Sequence, residues 1–184
     1  HIKYPFHYKW HDTNMGKGTA FRTGVLTAIG DYILLMDSDL QIQPREVKTF
    51  FEIMKFYDVD VVIGNKQHTY SNIDYTLMRT IMSRVYNYVN RMLFGIRFPD
   101  TQCGFKLFKA EPLKKILPKL IINRFAFDME ILIALRENGY RIADAPVTMV
   151  KRYKTTAANL KTIINMIYDT GRIWYRKKKG LYKL

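Results

Sequence analysis

Asp37 and Asp39, with Ser38 between them and Leu40-Gln41 behind, are the residues of this sequence best suited to chemistry. Two carboxylates and an amide oxygen are hard donors. They suit Mg²⁺ or Mn²⁺, ions that keep waters and take substrate phosphates as further ligands. The apolar run before them, residues 32–36, reads as a buried parallel strand. In open α/β sheets ligands sit at the carboxyl ends of such strands. An Asp-rich turn accounts for the same letters without any ligand, since Asp and Ser favour turns.

Other stretches offer complementary chemistry. Asn14-Met-Gly-Lys-Gly runs into a helical pattern in which Ala20, Gly24 and Ala28 recur at i, i+4, i+8. Gly16 and Gly18 permit close backbone approach and Lys17 supplies a cation. A helix start with these parts can hold a diphosphate. It lacks the Walker spacing, so a helix with a flexible entry fits as well. Asp100 opens a polar turn before an alternating strand at 105–108, and Lys66 follows a second buried strand within 58–64. Arg79 lies off the apolar stripe of a helix that includes Leu77, Ile81, Val85, Tyr88 and Met92, where most charges are simply solvated. Asp128 and Glu130 fall in the first turn of a helix and suit the positive end of its dipole.

These pieces need a frame. Pro44 is placed to open a helix containing Val47, Phe50, Phe51 and Met54. Residues 111–117 suggest a short helix, and the stretch from Arg124 runs into a helix that ends at Asn138-Gly139. Residues 141–150 read as a strand that Pro146 marks as an edge. Tyr4, Phe6, Tyr8 and Trp10 alternate as in a strand. Residues 155–175 form an amphipathic helix leading into Arg176-Lys-Lys-Lys179. That helix either packs on the domain or lies at a membrane interface with its basic run on lipid headgroups. No repeat or linker interrupts the chain. Residues 1–153 read as the main α/β domain, and residues 154–184 as a basic helical tail of that domain or an interfacial one.

The 184 residues suffice for one substantial core. Thirty Lys and Arg against 16 Asp and Glu leave a net charge of +14, which calls for an anionic partner. Nucleic acid is disfavoured. No nucleic-acid motif is present, and Asp-x-Asp repels phosphate unless a metal is bound. No run of 18 apolar residues marks a transmembrane helix. The single cysteine, Cys103, precludes an internal disulfide and fits a reducing compartment.

Four motifs occur in one order. They are Asn14-x-Gly-Lys-Gly with Arg22, Met-Asp-Ser-Asp-Leu-Gln (36–41), Asp-Thr-Gln-Cys-Gly-Phe-Lys-Leu-Phe (100–108) and Phe-Asp-Met-Glu-Ile-Leu (127–132). Together they resemble family 2 glycosyltransferases of the polyprenyl-phosphate type, the dolichyl-phosphate glucose and mannose synthases. The resemblance implies a GT-A-like, Rossmann-type, doubly wound and mostly parallel sheet flanked by helices. It also implies Asp37, Asp39 and Gln41 as metal ligands, with Asp37, Lys17 and Arg22 on the nucleotide-sugar. Lys66, Arg79 and Arg152 would meet the acceptor phosphate or donor diphosphate, and Asp39 and Asp100 would carry the catalysis. The donor would be UDP-glucose or GDP-mannose and the acceptor a polyprenyl phosphate, at the cytoplasmic face of a membrane. The family's opening strand, of the Val-Ile-Pro-Ala-Tyr-Asn-Glu kind, and the helix and strand after it have no counterpart here. A longer protein, or a unit supplied from elsewhere, is therefore expected.

A phosphate monoester has a second pKa of about 6 and needs little help from a base. Asp100 is then a positioning group for lipid-phosphate transfer, and a base only if the acceptor is a hydroxyl. Transfer to a glycan hydroxyl, and a non-catalytic relative, stay open as the other readings.

Overall fold

Among the described residues, four five-residue strands, each placing alternate side chains on opposite faces, build one sheet. They are β1 (Tyr32–Met36), β2 (Val61–Asn65), β3 (Phe105–Lys109) and β4 (Ile142–Pro146). The computed structural model describes residues 7–66, 86, 88–95, 98, 100–149 and 160–184. The strand order is β1-β3-β2-β4. β3 runs antiparallel to both β1 and β2, and β2 pairs in parallel with β4. Three strands therefore point one way and β3 runs against them. Among the described strands β4 is an edge, as Pro146 predicts.

Among the described residues, α1 (Lys17–Thr27), α2 (Val47–Phe56), α3 (Ala110–Ile116), α4 (Phe127–Glu137) and α5 (Leu160–Lys178) accompany the sheet. Residues 88–94 are also helical. Val61, Ile63 and Phe108 face a core shared with Phe21 and Val25 of α1, Leu113 of α3, Ile131 of α4 and Ile173 of α5. Val62, Phe105 and Leu107 face the other core, with Phe50 and Met54 of α2. Helices thus cover both faces of the sheet, as the expected doubly wound architecture requires.

Several expectations are corrected. β1 is no buried parallel strand. Among the described residues its ladder is antiparallel, to β3, and Tyr32 at its start is exposed. An apolar run reads alike in either pairing, so its letters could not decide. Lys106, within the alternating run at 105–108, is fully buried and meets Asp128 of α4. Residues 7–10 form no strand, and Tyr8 instead stacks on Trp10, ring centroids 5.7 Å apart, at the exposed surface. In α1, Gly24 opens onto empty space, and the buried side is Gly18, Phe21 and Val25.

The C-terminal segment is fastened to the domain. Glu130, fully buried in α4, accepts the N–H groups of Ile121 and Ile122 and the Tyr182 hydroxyl, the last at 2.8 Å. Burial raises the Glu130 pKa above its ordinary value, and the donors it accepts oppose that rise. The Asn138 amide donates to the Tyr182 carbonyl and its oxygen accepts the Leu184 N–H. Arg176 donates to the Lys119 carbonyl at 2.8 Å, and Lys177 donates to the Phe94 carbonyl at 3.2 Å. Half of the basic run is therefore bound to protein. Lys178 and Lys179 lie over the rings of Trp174 and Tyr175, and Ile164, Ile167 and Tyr168 are exposed. No helix among the described residues is long and apolar enough to cross a membrane.

Candidate active site at the strand ends

β1 and β2 deliver their carboxyl ends, and antiparallel β3 its amino end, to the same side of the sheet. Asp37, Asp39, Gln41, Lys66 and Gly104 consequently line one concavity, with Ile42, Phe105 and Met149 beneath them. It is small, about 30 Å³. A bridge between Ile42 and Met149 ties the segment after β1 to the one after β4.

The turn after β1 is built to fold back on itself. Leu40 has φ +52°, a left-handed conformation that costs a leucine about 1 kcal/mol or more. The Gln41 N–H donates to Asp39 Oδ1 at 3.2 Å. That turn returns Gln41 to the concavity it shares with both aspartates. Gly104 lies directly under Asp37: a Cβ there would stand 1.7 Å from Oδ2. The Asp37 N–H also donates to the Gly104 carbonyl at 3.0 Å, so the two backbones are locked together.

The donor set suits a hard divalent cation. Asp37, Asp39 and Gln41 offer two carboxylates and an amide oxygen around one concavity, and Asp37 remains partly open to solvent. Among the described residues no three carboxylate, imidazole or thiolate side chains cluster. Gln41 or water would therefore complete any coordination shell. The Asp37 carboxylate now pairs with Lys17, Nζ to Oδ1 2.6 Å.

Lys66 and Asp100 adjoin the same concavity. Asp100 Oδ2 accepts the Lys66 N–H at 3.4 Å and lies 3.9 Å from Lys66 Nζ, while Oδ1 accepts the Gln102 N–H. Asp100 is nearly buried, so its carboxylate is held in place by these contacts. Arg22 does not join this group. Its guanidinium donates to the carbonyls of Leu120 and Ile122 and to the Asn123 side chain, bracing the loop before α4. Arg79 and Arg152 lie outside the described residues.

The glycines around Lys17 serve the protein's own backbone. A Cβ on Gly16 would stand 2.3 Å from the Asn123 carbonyl oxygen, and one on Gly18 would stand 2.5 Å from that of Ile122. Gly16 also has φ +87°, and the Gly18 N–H donates to the Asn123 carbonyl at 2.8 Å. This close approach to residues 122–123 is what the glycines at 16 and 18 make room for. It presents Lys17 at the N-terminus of α1 beside Asp37. Two residues carry more than their sequence positions indicate: Gly104, which makes room for Asp37, and Lys106, which meets Asp128 beneath the site. The Cys-Gly pair inside the 100–108 motif was the available signal for the first. The neighbouring Cys103 is fully buried, and burial pushes its thiol up to about 11, so it is unreactive at neutral pH.

The model of glycosyl transferase family 2 matches residues 2–117. The chain belongs to that family. The sequence is 30% identical over 177 residues to a dolichyl-phosphate beta-glucosyltransferase of Dictyostelium discoideum, covering 93% of this chain and 54% of that protein. It is 26% identical over 165 residues to the glycosyltransferase AglD of Haloferax volcanii, covering 90% of this chain and 26% of that protein. The chain thus spans about half the length of the first relative and a quarter of the second. Among solved structures of the fold it resembles glucosyl-3-phosphoglycerate synthase of Mycobacterium tuberculosis. That enzyme was crystallised with Mn²⁺, uridine-diphosphate-glucose and glycerol 3-phosphate. The TM-score is 0.53 at 14% identity, with 90% of this chain and 53% of that one covered. These likenesses agree with the GT-A-type expectation for the fold, and the family assignment agrees with the motif order.

Proposed function

We propose that this family 2 domain transfers a hexose from a nucleoside-diphosphate sugar to a polyprenyl phosphate, with a divalent cation held by Asp37, Asp39 and Gln41. The observation that carries the reading is the convergence of those three residues with Lys66 on one concavity at the strand ends. The similarity to dolichyl-phosphate beta-glucosyltransferases supports the acceptor and favours UDP-glucose over GDP-mannose. The Mn²⁺ and UDP-glucose in the structurally similar synthase support the cofactor and donor class.

The chemistry divides among the residues as follows. The cation would act as a Lewis acid on the charge that develops on the departing diphosphate. Asp37, Asp39 and Gln41 hold it. Lys17 sits where it can donate to the donor diphosphate. Lys66, with Arg79 and Arg152, supplies the positive charge that lets two anionic substrates approach each other. Asp100 orients Lys66 and the incoming group. A hydroxyl acceptor is the second reading, favoured by a nearly buried carboxylate fixed at the rim, which is what a general base requires.

The test is a transfer assay with UDP-glucose or GDP-mannose against a short polyprenyl phosphate and a glycan acceptor, with Mn²⁺ or excess chelator. Transfer to the lipid phosphate should need the metal and should survive Asp100→Asn in part. Transfer untouched by chelation would reject the cation. Glycan transfer abolished by Asp100→Asn would favour the hydroxyl reading.

The exposed side of α5 gives the domain a way to meet the bilayer where such a lipid resides. Ile164, Ile167, Tyr168 and Tyr175 would enter the headgroup region, with Lys178 and Lys179 on anionic lipid. In flotation with vesicles containing anionic lipid, Lys178→Gln/Lys179→Gln should bind several-fold more weakly. Arg176 and Lys177 are engaged by protein and should matter less to lipid than to folding. Equal flotation of wild type and the Lys178/Lys179 variant would remove the electrostatic account.

A further inference from the structure

Lys17 stands between two carboxylates of different kinds. Its ammonium is 2.6 Å from Oδ1 of Asp37, which is partly exposed, and 3.9 Å from Oδ2 of Asp128, which is buried. The other oxygen of Asp128, Oδ1, is bound by Lys106, itself fully buried and donating also to the Cys103 carbonyl. A buried carboxylate needs a partner, and Lys106 provides one. Pairing alone does not explain why the second oxygen is turned toward another lysine across the site.

We propose that Lys17 is the resident cation of the Asp37 carboxylate and that Asp128 is the positioning residue to which Lys17 shifts when a divalent cation occupies Asp37. The inference rests on the metal reading above. An ammonium and a divalent ion at the same carboxylate repel each other strongly over a few ångströms. Lys17 must therefore give way as the ion arrives. The backbone cannot move with it, because Gly16 and Gly18 are pressed against residues 122–123. The side chain can. It is about one-third exposed and rests beside the Phe127 ring, 5.7 Å from its centroid. A shift of about 1 Å would close the gap to Asp128 to hydrogen-bond distance. Asp128, anchored from beneath by Lys106, would hold the ammonium within reach of the same site. The ion's arrival would thus convert Lys17 from a plug on Asp37 into a donor poised for the diphosphate.

Calorimetric titration of Mn²⁺ alone, without nucleotide, tests this. Wild type, Lys17→Met, Asp128→Asn and the double variant are compared, with Asp39→Ala as the control that locates binding at the site. Lys17→Met should bind Mn²⁺ about threefold to fivefold more tightly, because a competing ion pair has gone. Asp128→Asn should bind more weakly, because Lys17 has nowhere to go, and that loss should vanish in the Lys17→Met background. Lys17→Met binding no better than wild type overturns the proposal. An Asp128→Asn loss that persists without Lys17 also overturns it, since long-range charge then explains the effect. If Asp128→Asn alone does not fold, Lys106→Met/Asp128→Asn removes the same carboxylate without stranding Lys106. Mn²⁺ binding that survives Asp39→Ala, or is absent from wild type, overturns the metal reading itself. Binding lost in Asp39→Ala but unaffected by Lys17→Met overturns the exchange alone.

Discussion

Gly104→Ala should lower the proposed sugar transfer about 100-fold while leaving the domain folded, with a stability change of about 1 kcal/mol or less. The added Cβ would lie 1.7, 2.2 and 2.7 Å from Oδ2, Cγ and Oδ1 of Asp37. Something must move, and the backbone has little freedom, since the Asp37 N–H is bonded to the Gly104 carbonyl. Asp37 can move, because its side chain is 44% exposed and can rotate toward solvent. Rotation breaks the pair with Lys17 and takes one carboxylate out of the concavity that Asp39 and Gln41 share. A misplacement of that size, about 1 Å or more, is enough to account for the loss. Gly24→Ala is the matched control. Its Cβ meets nothing within 4 Å, and alanine favours the helix. Thermal unfolding, Mn²⁺ titration and kcat/KM measured together decide the matter. A Gly104→Ala protein that transfers sugar at the wild-type rate would mean that Asp37 does not work from the position seen here.

Much of this arrangement was legible in the sequence, and the part that was not has a physical cause. Asp37, Asp39, Gln41, Lys66 and Asp100 could be placed at strand ends because short apolar runs bounded by polar turns carry a local signal. The end of α4 at Asn138-Gly139 and the entry at Pro44 to the helical segment that contains α2 were legible from cap and turn residues. What failed depends on which element lies beside which. The direction of β3 and the edge position of β1 among the described strands are properties of pairing and leave no mark on either run. The burial of Lys106 under α4 likewise leaves no mark on the run that contains it. The resemblance implies Arg22 on the nucleotide-sugar, and the pattern alone does not show that its guanidinium is engaged about 100 residues further along the chain by carbonyls before α4. Gly16 and Gly18 announce a close approach but not what approaches. Asp128 was visible only as a helix-terminal charge, because its two lysine neighbours come from the start of α1 and the middle of β3.

Lys106→Met should be the most damaging single change in the core, destabilising the domain by about 3–5 kcal/mol. Methionine fills much of the volume and keeps the apolar stem, so the effect isolates the ammonium. Without it Asp128 is left inside the protein with the positive end of α4 and, at 3.9 Å, Lys17 as its remaining support. The Cys103 carbonyl loses its donor as well. A domain of ordinary stability has only about 5–15 kcal/mol in total, so the variant should unfold at much lower denaturant and express poorly. Lys106→Met/Asp128→Asn should recover most of the loss, because a neutral amide is far cheaper to bury than a carboxylate without a partner. Urea unfolding of the two singles and the double closes the cycle and yields the coupling energy directly. Lys106→Met losing less than about 1 kcal/mol would show that the Lys106–Asp128 pair is dispensable to the fold. The rescued double variant should also be folded but unable to hold Lys17 away from Asp37. Loss of stability and loss of ion exchange at the site would then be separated in one pair of proteins.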